Sequence, residues 1–391
     1  MNDSDINDIR SSAEFKGVSF SKFQKLQVKK QLVTCIVAGK VEAACNWSAE
    51  LICAGQFLDV WECILLLVGK YIHSGNPKLP IYITMRFKTF KEIMSNGYLN
   101  NELAMRNNPK IRQLFAEVVC VLCYSRKKHS LEQVKILKAE EFSMTHMANR
   151  LKAPDITYGQ ATFKADDPKE LFIAVNEFAY HVSKDSKNNL SACYWLEWIL
   201  EYLVLCLKRK EKCCAETRAH IPVLDKYKKD IIWIIWDALF YAADLKKDPL
   251  VTKTLHALLD MFTIKYSDGM RQRRRFLIYF AIAMVTDVMD FSIEMVPHKQ
   301  EVEFMTTRID VVYKAVKKNE MAPKTDYLYE GLKPEKSNLD KTQERLEIMN
   351  GLMWSIFCIN IDKWHSSWDR SKHNSWDRSH MNRQSRSSRH R

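Results

Sequence analysis

Two stretches of the chain align with each other without a gap, and this internal similarity constrains the fold more than any other sequence feature. Over the 39 aligned positions from Asp59 to Gly97, six residues recur at a constant offset of 172. The identical pairs are Trp61/Trp233, Leu67/Leu239, Pro77/Pro249, Phe90/Phe262, Ser95/Ser267 and Gly97/Gly269. Such self-similarity predicts a helical unit that the chain uses twice. The alternative is that two unrelated pairs of apolar helices reach this number of identities by chance.

Flanking segments extend the similarity on both sides. Upstream, the run ACNW at residues 44–47 is echoed by ACYW at residues 192–195. Downstream, both copies continue from a basic start into an apolar helix. An insertion at about residues 211–224 explains why the offset is 148 upstream and 172 downstream.

The repeat makes a specific prediction about packing. Trp61 and Trp233 should be buried near the start of equivalent helices. Each should pack against the following helix, Trp61 near Phe90 and Trp233 near Phe262.

The spacing of turn residues favours helices throughout. Glycine and proline number only 10 each, and average usage would give roughly twice as many. Four candidate helix starts pair an Asn or Asp N-cap with a following proline, which loses no hydrogen bond at that position. These starts are Asn76-Pro77, Asn108-Pro109, Asp167-Pro168 and Asp248-Pro249. The sequence therefore predicts an all-α protein, a multi-helix array of two pseudo-repeated units.

The pattern divides the chain into five parts. They are a disordered N-terminus (1–18), a first helical unit (19–140), a connector (141–166), a second helical unit with closing helices (167–350) and a disordered basic tail (365–391). No segment reaches the ~20 apolar residues of a membrane helix, so we predict no membrane span. The 11 cysteines lie mostly within apolar helical patterns, which indicates a reducing compartment and a protein that is not secreted.

Catalytic signatures are missing from the sequence. It contains neither GxxxxGK[ST] nor GxGxxG, and neither GxSxG nor HExxH. Cys120-x-x-Cys123 has the spacing of a zinc or redox motif, but one such pair cannot complete a tetrahedral site. We predict a non-enzymatic protein without cofactor or metal. An enzyme whose site is assembled from distant residues stays open as an alternative.

Positive charge is the main surface signal, with a formal net charge of +13. Arg273 to Arg275 begin a predicted helix, although the helix dipole favours acidic residues there. A bound polyanion would relieve that conflict, and so would an acidic neighbour within the fold. The candidate nucleic-acid-binding residues of the helical body are Arg126, Lys127, Lys128, Arg271, Arg273, Arg274 and Arg275.

The tail differs from the rest of the chain. SWDRSKHN at residues 367–374 repeats at once as SWDRSHMN at residues 375–382. The tail lacks the periodic hydrophobic residues of a helix or a strand, so it is predicted to be disordered. Arginine interleaved with tryptophan suits contact with phosphates and bases. The candidate residues here are Arg370, Arg378, Arg383, Arg386, Trp368 and Trp376. A merely solubilising tail is the alternative.

Several long runs carry a family resemblance. Examples are NWSAELICAGQFLDVWECILLLVGKYIHSGNPKLPIYI from Asn46 and DDPKELFIAVNEFAYHVSKDSKNNLSACYWLEWILEY from Asp166. Over about residues 40–350 the chain resembles a family of uncharacterised proteins from giant, nucleo-cytoplasmic large DNA viruses. The resemblance implies a viral protein in the host cytoplasm, at the virus factory, or in the virion. It supplies no catalytic residues.

Together these features favour a helical scaffold or interaction protein associated with nucleic acid during replication or transcription. Its protein partners are not identified by the sequence. A virion structural protein is the main alternative, with the positive charge serving to pack against DNA or acidic capsid proteins.

Overall fold

The structure is a computed structural model, and it describes residues 3–99, 101–136, 142, 144–321 and 346. Within these residues the chain forms fifteen α-helices and no strand beyond one isolated bridge between Val18 and Gln24. The predicted all-α fold is therefore confirmed. Met1–Ala322 form one compact unit, which includes the first predicted helical unit (19–140) and the second predicted unit (167–350) only as far as Ala322. The tail at 365–391 lies outside the described residues.

The helices follow one another closely along the chain. The first half contains α1 (Lys25–Val37), α2 (Val41–Cys53), α3 (Phe57–Leu66), α4 (Leu79–Ser95) and α5 (Pro109–Tyr124). The predicted connector holds two short helices, α6 (Met144–Arg150) and α7 (Thr157–Gln160). The second half contains α8 (Phe172–Val182), α9 (Asn189–Arg209), α10 (Ile232–Lys246), α11 (Pro249–Thr263), α12 (Met270–Arg273) and α13 (Arg275–Thr286). Two further helices follow, α14 (Lys299–Thr307) and α15 (Ile309–Lys317).

The two halves share five helix pairings. In the first half α1 packs against α2, α3 and α5, and α5 also packs against α2 and α4. In the second half α8 packs against α9, α10 and α13, and α13 also packs against α9 and α11. Hence α1 to α5 correspond in order to α8, α9, α10, α11 and α13. The aligned segments lie on α3 and α4 in one half and on α10 and α11 in the other.

Equivalent helices meet where the halves join. α4 packs directly against α11. The Thr254 hydroxyl donates to the Pro77 carbonyl at 3.4 Å, and the Thr84 hydroxyl lies 3.3 Å from the Ala257 carbonyl oxygen. These contacts place the second helix of one aligned segment beside the second helix of the other.

A π-helical turn, Leu67–Ile72, continues α3 and supports α13. A Cβ atom on Gly69 would lie 2.9 Å from the Phe276 carbonyl carbon. Only glycine therefore allows the backbones to approach this closely. The turn ends at His73, whose φ is +47°, and burial lowers the pKa of its imidazole to about 4.

Two of the four predicted helix starts are correct. Asn108 and Asp248 each cap their helices by accepting backbone N–H bonds from the first turn. Asn76 instead donates to the carbonyls of residues 294 and 295, and α4 begins three residues later. The Asp167 carboxylate binds the buried Arg218 guanidinium at 2.6 Å, and α8 begins at Phe172. Arg218 takes the carboxylate of Asp167, whereas the side-chain oxygen of Asn76 accepts no hydrogen bond within the described residues.

The N-terminus is ordered, which corrects the predicted disorder of residues 1–18 for residues 3–18. Ile6 and Phe15 are each 2 % exposed, so the segment contributes to the core. Arg10 is buried, pairs with the Asp8 carboxylate at 2.6 Å and donates to the Phe20 carbonyl at 2.9 Å. Burial favours the neutral acid, yet the hydrogen bonds from Arg10 and from the Met321 N–H hold the pKa of Asp8 below its ordinary value.

The closing helices return to the first half rather than extending the second. α14 packs against α5, and α15 packs against α2 and α5. Arg112 of α5 is buried and joins Asp310 of α15 at 2.9 Å, and it also donates to the Ser4 hydroxyl at 2.9 Å. The N-terminal segment and α15 are thereby fixed to the same helix.

Among the described residues one helix, α9, is long and apolar enough to cross a membrane by length and composition alone. It has 21 residues, and 61 % of its apolar window is buried inside the fold. Core helices of soluble proteins pass the same test, so α9 is weak evidence for a membrane span.

Candidate binding groove at the first aromatic cluster

The second half encloses an aromatic cluster around Trp233, which is fully buried. The ring centroids of Trp233 and Phe262 are 6.0 Å apart, as the repeat predicted. Tyr266 packs against Trp233 at 4.9 Å. The indole Nε1 of Trp233 donates to the Tyr227 carbonyl at 2.7 Å. The one polar atom of this side chain thus has a partner.

A polar cover closes this second cluster. The Tyr266 hydroxyl donates to the Asp230 carboxylate at 2.8 Å, and the Arg271 guanidinium donates to the same carboxylate at 2.5 Å. Burial raises the pKa of Asp230, whereas the charge of Arg271 opposes that shift. We call Tyr227, Asp230, Tyr266 and Arg271 the polar cover.

The first half contains the matching cluster around Trp61, which is 1 % exposed. Its ring centroid lies 5.7 Å from Phe90, again as predicted, and 4.9 Å from Phe87. The ring of Phe115, on α5, also packs against Trp61 at a centroid distance of 5.5 Å. Unlike Trp233, Trp61 has an indole N–H without a hydrogen-bond partner among the described residues.

The first cluster carries no polar cover at the aligned positions. Asp230 aligns with Leu58, which is 39 % exposed, and Tyr266 aligns with the half-buried Met94. Both apolar residues line a groove of about 380 Å³. The groove therefore lies where the second half covers its own aromatic cluster.

The groove runs between α4 and the end of α11. Its apolar surface comes from Phe57, Leu58, Phe87, Phe90, Met94, Met261 and Ile264, with Pro222 contributed by the loop after α9. Because α4 and α11 are joined by the threonine contacts, the two walls are held at a fixed separation. A concave, largely apolar cleft between two packed units is the usual setting of a binding site.

Charged residues also line the groove. Three lysines, Lys88, Lys91 and Lys265, are exposed, and two carboxylates, Asp260 and Glu102, accompany them. Burial raises the pKa of Asp260, while His256 and Lys91 oppose that shift. At neutral pH with both carboxylates ionised, the lining carries one net positive charge.

The groove has the composition of a recognition surface. Its two hydroxyl groups are engaged by helix carbonyls, Thr84 with Pro80 at 2.9 Å and Thr263 with Asp260 at 3.0 Å. Its lining contains no histidine, cysteine or serine that could act as a nucleophile with a neighbouring base. The arrangement can bury apolar side chains and pair with charges at the margin.

Arginines predicted to bind nucleic acid instead hold helices together. Arg274 is buried, pairs with Glu62 of α3 at 2.5 Å and donates to two carbonyls at the end of α11. Arg275 pairs with the buried Glu197 of α9 at 2.6 Å. With Arg271 in the polar cover, three of the four predicted arginines here have an acidic neighbour within the fold. An acidic neighbour within the fold, the alternative to a bound polyanion, therefore accounts for these three arginines.

The remaining predicted cations divide differently. Lys127 donates to the carbonyls of Leu122, Cys123 and Ser125 at the end of α5, so it caps that helix. Arg126, Lys128 and Arg273 are exposed, and Arg273 lies over Gly269. The candidates in the tail, Arg370, Arg378, Arg383, Arg386, Trp368 and Trp376, lie outside the described residues.

The cysteine motif lies inside the core. Cys120 and Cys123 are buried in α5, and Cys120 is a hydrogen-bond neighbour of the buried Cys45 on α2. Across the described part of the chain, no group of three or more His, Cys, Asp or Glu residues is placed to hold a metal ion.

Sequence reasoning missed the groove. The aligned positions held the signal, since Leu58 and Met94 replace polar or hydroxyl-bearing residues of the other copy.

Comparison of the chain with protein-family models, curated proteins and solved structures found no match.

Proposed function

We propose that the protein is a non-catalytic helical scaffold that binds a helical segment of a partner protein in the groove over the first aromatic cluster. One observation carries the proposal: two aromatic clusters occupy equivalent places, and only the second has a cover from its own chain. Leu58 and Met94 line the groove over the first cluster, at the positions where Asp230 and Tyr266 close the second.

The chemistry of the groove defines the segment that fits it. Two of the four residues in the polar cover of the second cluster are tyrosines, so an aromatic or large aliphatic anchor suits the first cluster. The exposed Lys88, Lys91 and Lys265 favour acidic residues beside that anchor. An amphipathic helix presents anchors at i, i+3 or i+4 and i+7 to such a groove.

A helical peptide library tests this proposal. Displayed peptides would be selected on the whole protein, with a parallel selection on Leu58→Asp and a control selection on Tyr241→Asp. Tyr241 is 45 % exposed on α10 and lies outside the groove. We expect acidic amphipathic helices to be enriched on the wild type and on the control and lost on Leu58→Asp. Equal enrichment on all three proteins would refute the assignment.

Nucleic-acid association is a second candidate function, supported by the cations that the fold leaves at its surface. Lys208, Arg209, Lys210 and Lys212 are all exposed at the end of α9 and form no ion pair within the described part of the chain. Phosphate contacts release counterions and must strengthen as salt falls. An electrophoretic titration with DNA and RNA at two salt concentrations tests this candidate. Undetectable binding at low salt would exclude it.

The setting is proposed from the sequence resemblance. It supports a viral protein in the cytoplasmic factory or in the virion, and a virion structural role is the main rival to the scaffold role. Quantitative mass spectrometry of purified particles separates the two, because a structural protein is present at the stoichiometry of the capsid. A third hypothesis is an enzyme whose site is assembled from distant residues, and a screen of candidate substrates for turnover would test it.

A further inference from the structure

A lysine caps the last helix of each five-helix set, and the two caps show how the ends of the halves correspond. Lys127 follows α5 and caps it, whereas Lys246 comes from the end of α10 and caps α13. The accepting carbonyls are Leu122, Cys123 and Ser125 in the first half and Met284, Val285 and Asp287 in the second. Each carbonyl of the second half lies 162 positions after its counterpart. The end of α13 therefore corresponds to the end of α5.

In the first half the chain turns back over this end as an extended segment. Residues 126–130 belong to no helix, and we call them the extended cover. The Ser130 N–H donates to the carbonyl of Lys70 in the π-helical turn at 2.8 Å. A Cβ atom on Gly75 would collide with the Arg126 carbonyl oxygen. The main chain of the extended cover thus lies directly on the helices beneath it.

In the second half a pocket of about 390 Å³ lies at the corresponding place. Its lining includes Ala242, which aligns with Lys70, and Thr286 at the end of α13. The chain after α13 continues to the first half, where the carbonyls of residues 294 and 295 accept hydrogen bonds from the Asn76 amide. This end pocket therefore lies where the first half carries its extended cover.

The end pocket continues into a second cavity of about 200 Å³. The two cavities share four lining residues, Ser183, Lys184, Ala242 and Leu245. Beyond these residues the end pocket reaches α11 and α13, whereas the second cavity reaches α7. The combined site therefore runs from α13 past α10 to α7, a shape that suits an extended chain.

The charges available at the end pocket are positive. Lys184 and Lys187 line it, are exposed and form no ion pair within the described part of the chain. The other charged groups of the lining are engaged by the fold. Asp248 accepts N–H bonds at the start of α11, Asp287 accepts from a neighbouring threonine hydroxyl at 2.7 Å, and Lys246 caps α13. Only the two exposed lysines present unengaged charges to an occupant.

We propose that the end pocket binds an extended, acidic segment of a partner protein, with carboxylates paired to Lys184 and Lys187 and one apolar side chain in its interior. The interior is apolar because three buried valines line it, Val182, Val251 and Val285. An extended occupant is inferred from the extended cover of the first half, and an acidic one from the two unpaired lysines.

This site is separate from the groove over the first aromatic cluster. The end pocket lies at the start of α11 and the groove at its end. The 15 residues of α11 rise by roughly 20 Å between them. The occupants differ as well, since the groove takes a helix. Either proposal can fail while the other holds.

A display selection on the full chain tests the proposal. The library would consist of nine-residue peptides with a central proline, which prevents helix formation. Selections would compare the wild type, the double variant Lys184→Glu/Lys187→Glu and the matched control Lys208→Glu/Lys212→Glu. All four lysines are exposed, and both double variants change the net charge equally. We expect acidic peptides with an apolar residue to be enriched on the wild type and the control and lost on Lys184→Glu/Lys187→Glu.

Fluorescence anisotropy with one selected peptide then locates the site. We expect the peptide to bind Lys184→Glu/Lys187→Glu at least about tenfold more weakly than the wild type. Ala242→Phe should weaken binding without any change of charge, because the new ring would fill the pocket. Leu58→Asp in the groove should leave the affinity unchanged. Circular dichroism and melting temperature would verify that each variant is folded.

Several results would overturn the proposal. These are a selection that enriches no acidic peptide on the wild type, an equal loss on Lys208→Glu/Lys212→Glu, and unchanged affinity in folded Ala242→Phe. Binding of a single-stranded oligonucleotide that is lost in Lys184→Glu/Lys187→Glu, with no peptide enriched, would assign the lysines to phosphate. A wild-type dimer that this variant lacks would assign the pocket to a second copy of the chain. Loss of the peptide in Leu58→Asp would place it in the groove instead.

Discussion

The two aromatic clusters begin from the same sequence pattern and end in different surroundings. Trp61 and Trp233 are both buried, and each packs against the phenylalanine 29 positions later. The second cluster has a polar cover that includes Asp230, whereas Leu58 at the aligned position is exposed. The difference teaches that a repeated core need not give a repeated surface. Where one copy covers its core with its own chain, the other has a groove.

The largest expected effect tests what the clusters share. Truncating either Trp61 or Trp233 to alanine should lower the free energy of unfolding by about 3–5 kcal/mol, since each is a large buried aromatic. Urea unfolding of the two variants measures the loss. A loss below about 1 kcal/mol at either position would show that this tryptophan is not part of the stabilising core.

The next effect tests where the copies diverge. Gly69→Ala should destabilise the protein by about 1–3 kcal/mol, because the new Cβ would lie 2.9 Å from the Phe276 backbone. The aligned residue in the second copy is Tyr241, which is 45 % exposed. Tyr241→Ala is therefore the matched control, with an expected change within about 0.5 kcal/mol. Equal losses at both positions would contradict the close approach of α13 to the π-helical turn.

A smaller effect depends on pH and belongs to the second copy alone. Burial raises the pKa of Asp230 in the folded state above its ordinary value of 3.8. The folded protein therefore binds this proton more tightly than the unfolded chain does. The stability of the wild type relative to Asp230→Asn should fall as pH rises from about 4 through the folded-state pKa. Unfolding of both proteins across that range checks the sign, and an opposite slope would mean that the charge of Arg271 outweighs burial.

Much of the fold could be predicted from the sequence. Scarce glycine and proline and the Asn/Asp-Pro starts gave the all-α class, and the aligned segments gave the contacts of Trp61 and Trp233. Local pattern failed where long-range partners decide the outcome. The sequence around Asp167 predicts an N-cap, but the guanidinium group of Arg218, 51 residues later, binds the Asp167 carboxylate. The basic run at 273–275 suggests a polyanion site, but Arg274 pairs with Glu62 and Arg275 pairs with Glu197, both from distant helices.

The groove could not be predicted from the sequence for a similar reason. The groove exists because Leu58 and Met94 stand where the second copy has Asp230 and Tyr266. The effect of that difference on the surface becomes apparent only when the two aromatic clusters are compared in the structure. The N-terminus shows the same limit. Its polar composition predicts disorder, yet Ile6 and Phe15 are buried.

The most direct test of this account rebuilds two parts of the polar cover in the first cluster. Leu58→Asp combined with Met94→Tyr places the second copy's residues at the aligned positions. Calorimetric titration would compare the double variant and the wild type with one acidic helical peptide selected on the wild type. We predict that the variant stays folded and binds the peptide at least about tenfold more weakly, a change of about 1.4 kcal/mol. Unchanged affinity in a folded variant would contradict the claim that the groove over the first aromatic cluster is the binding site.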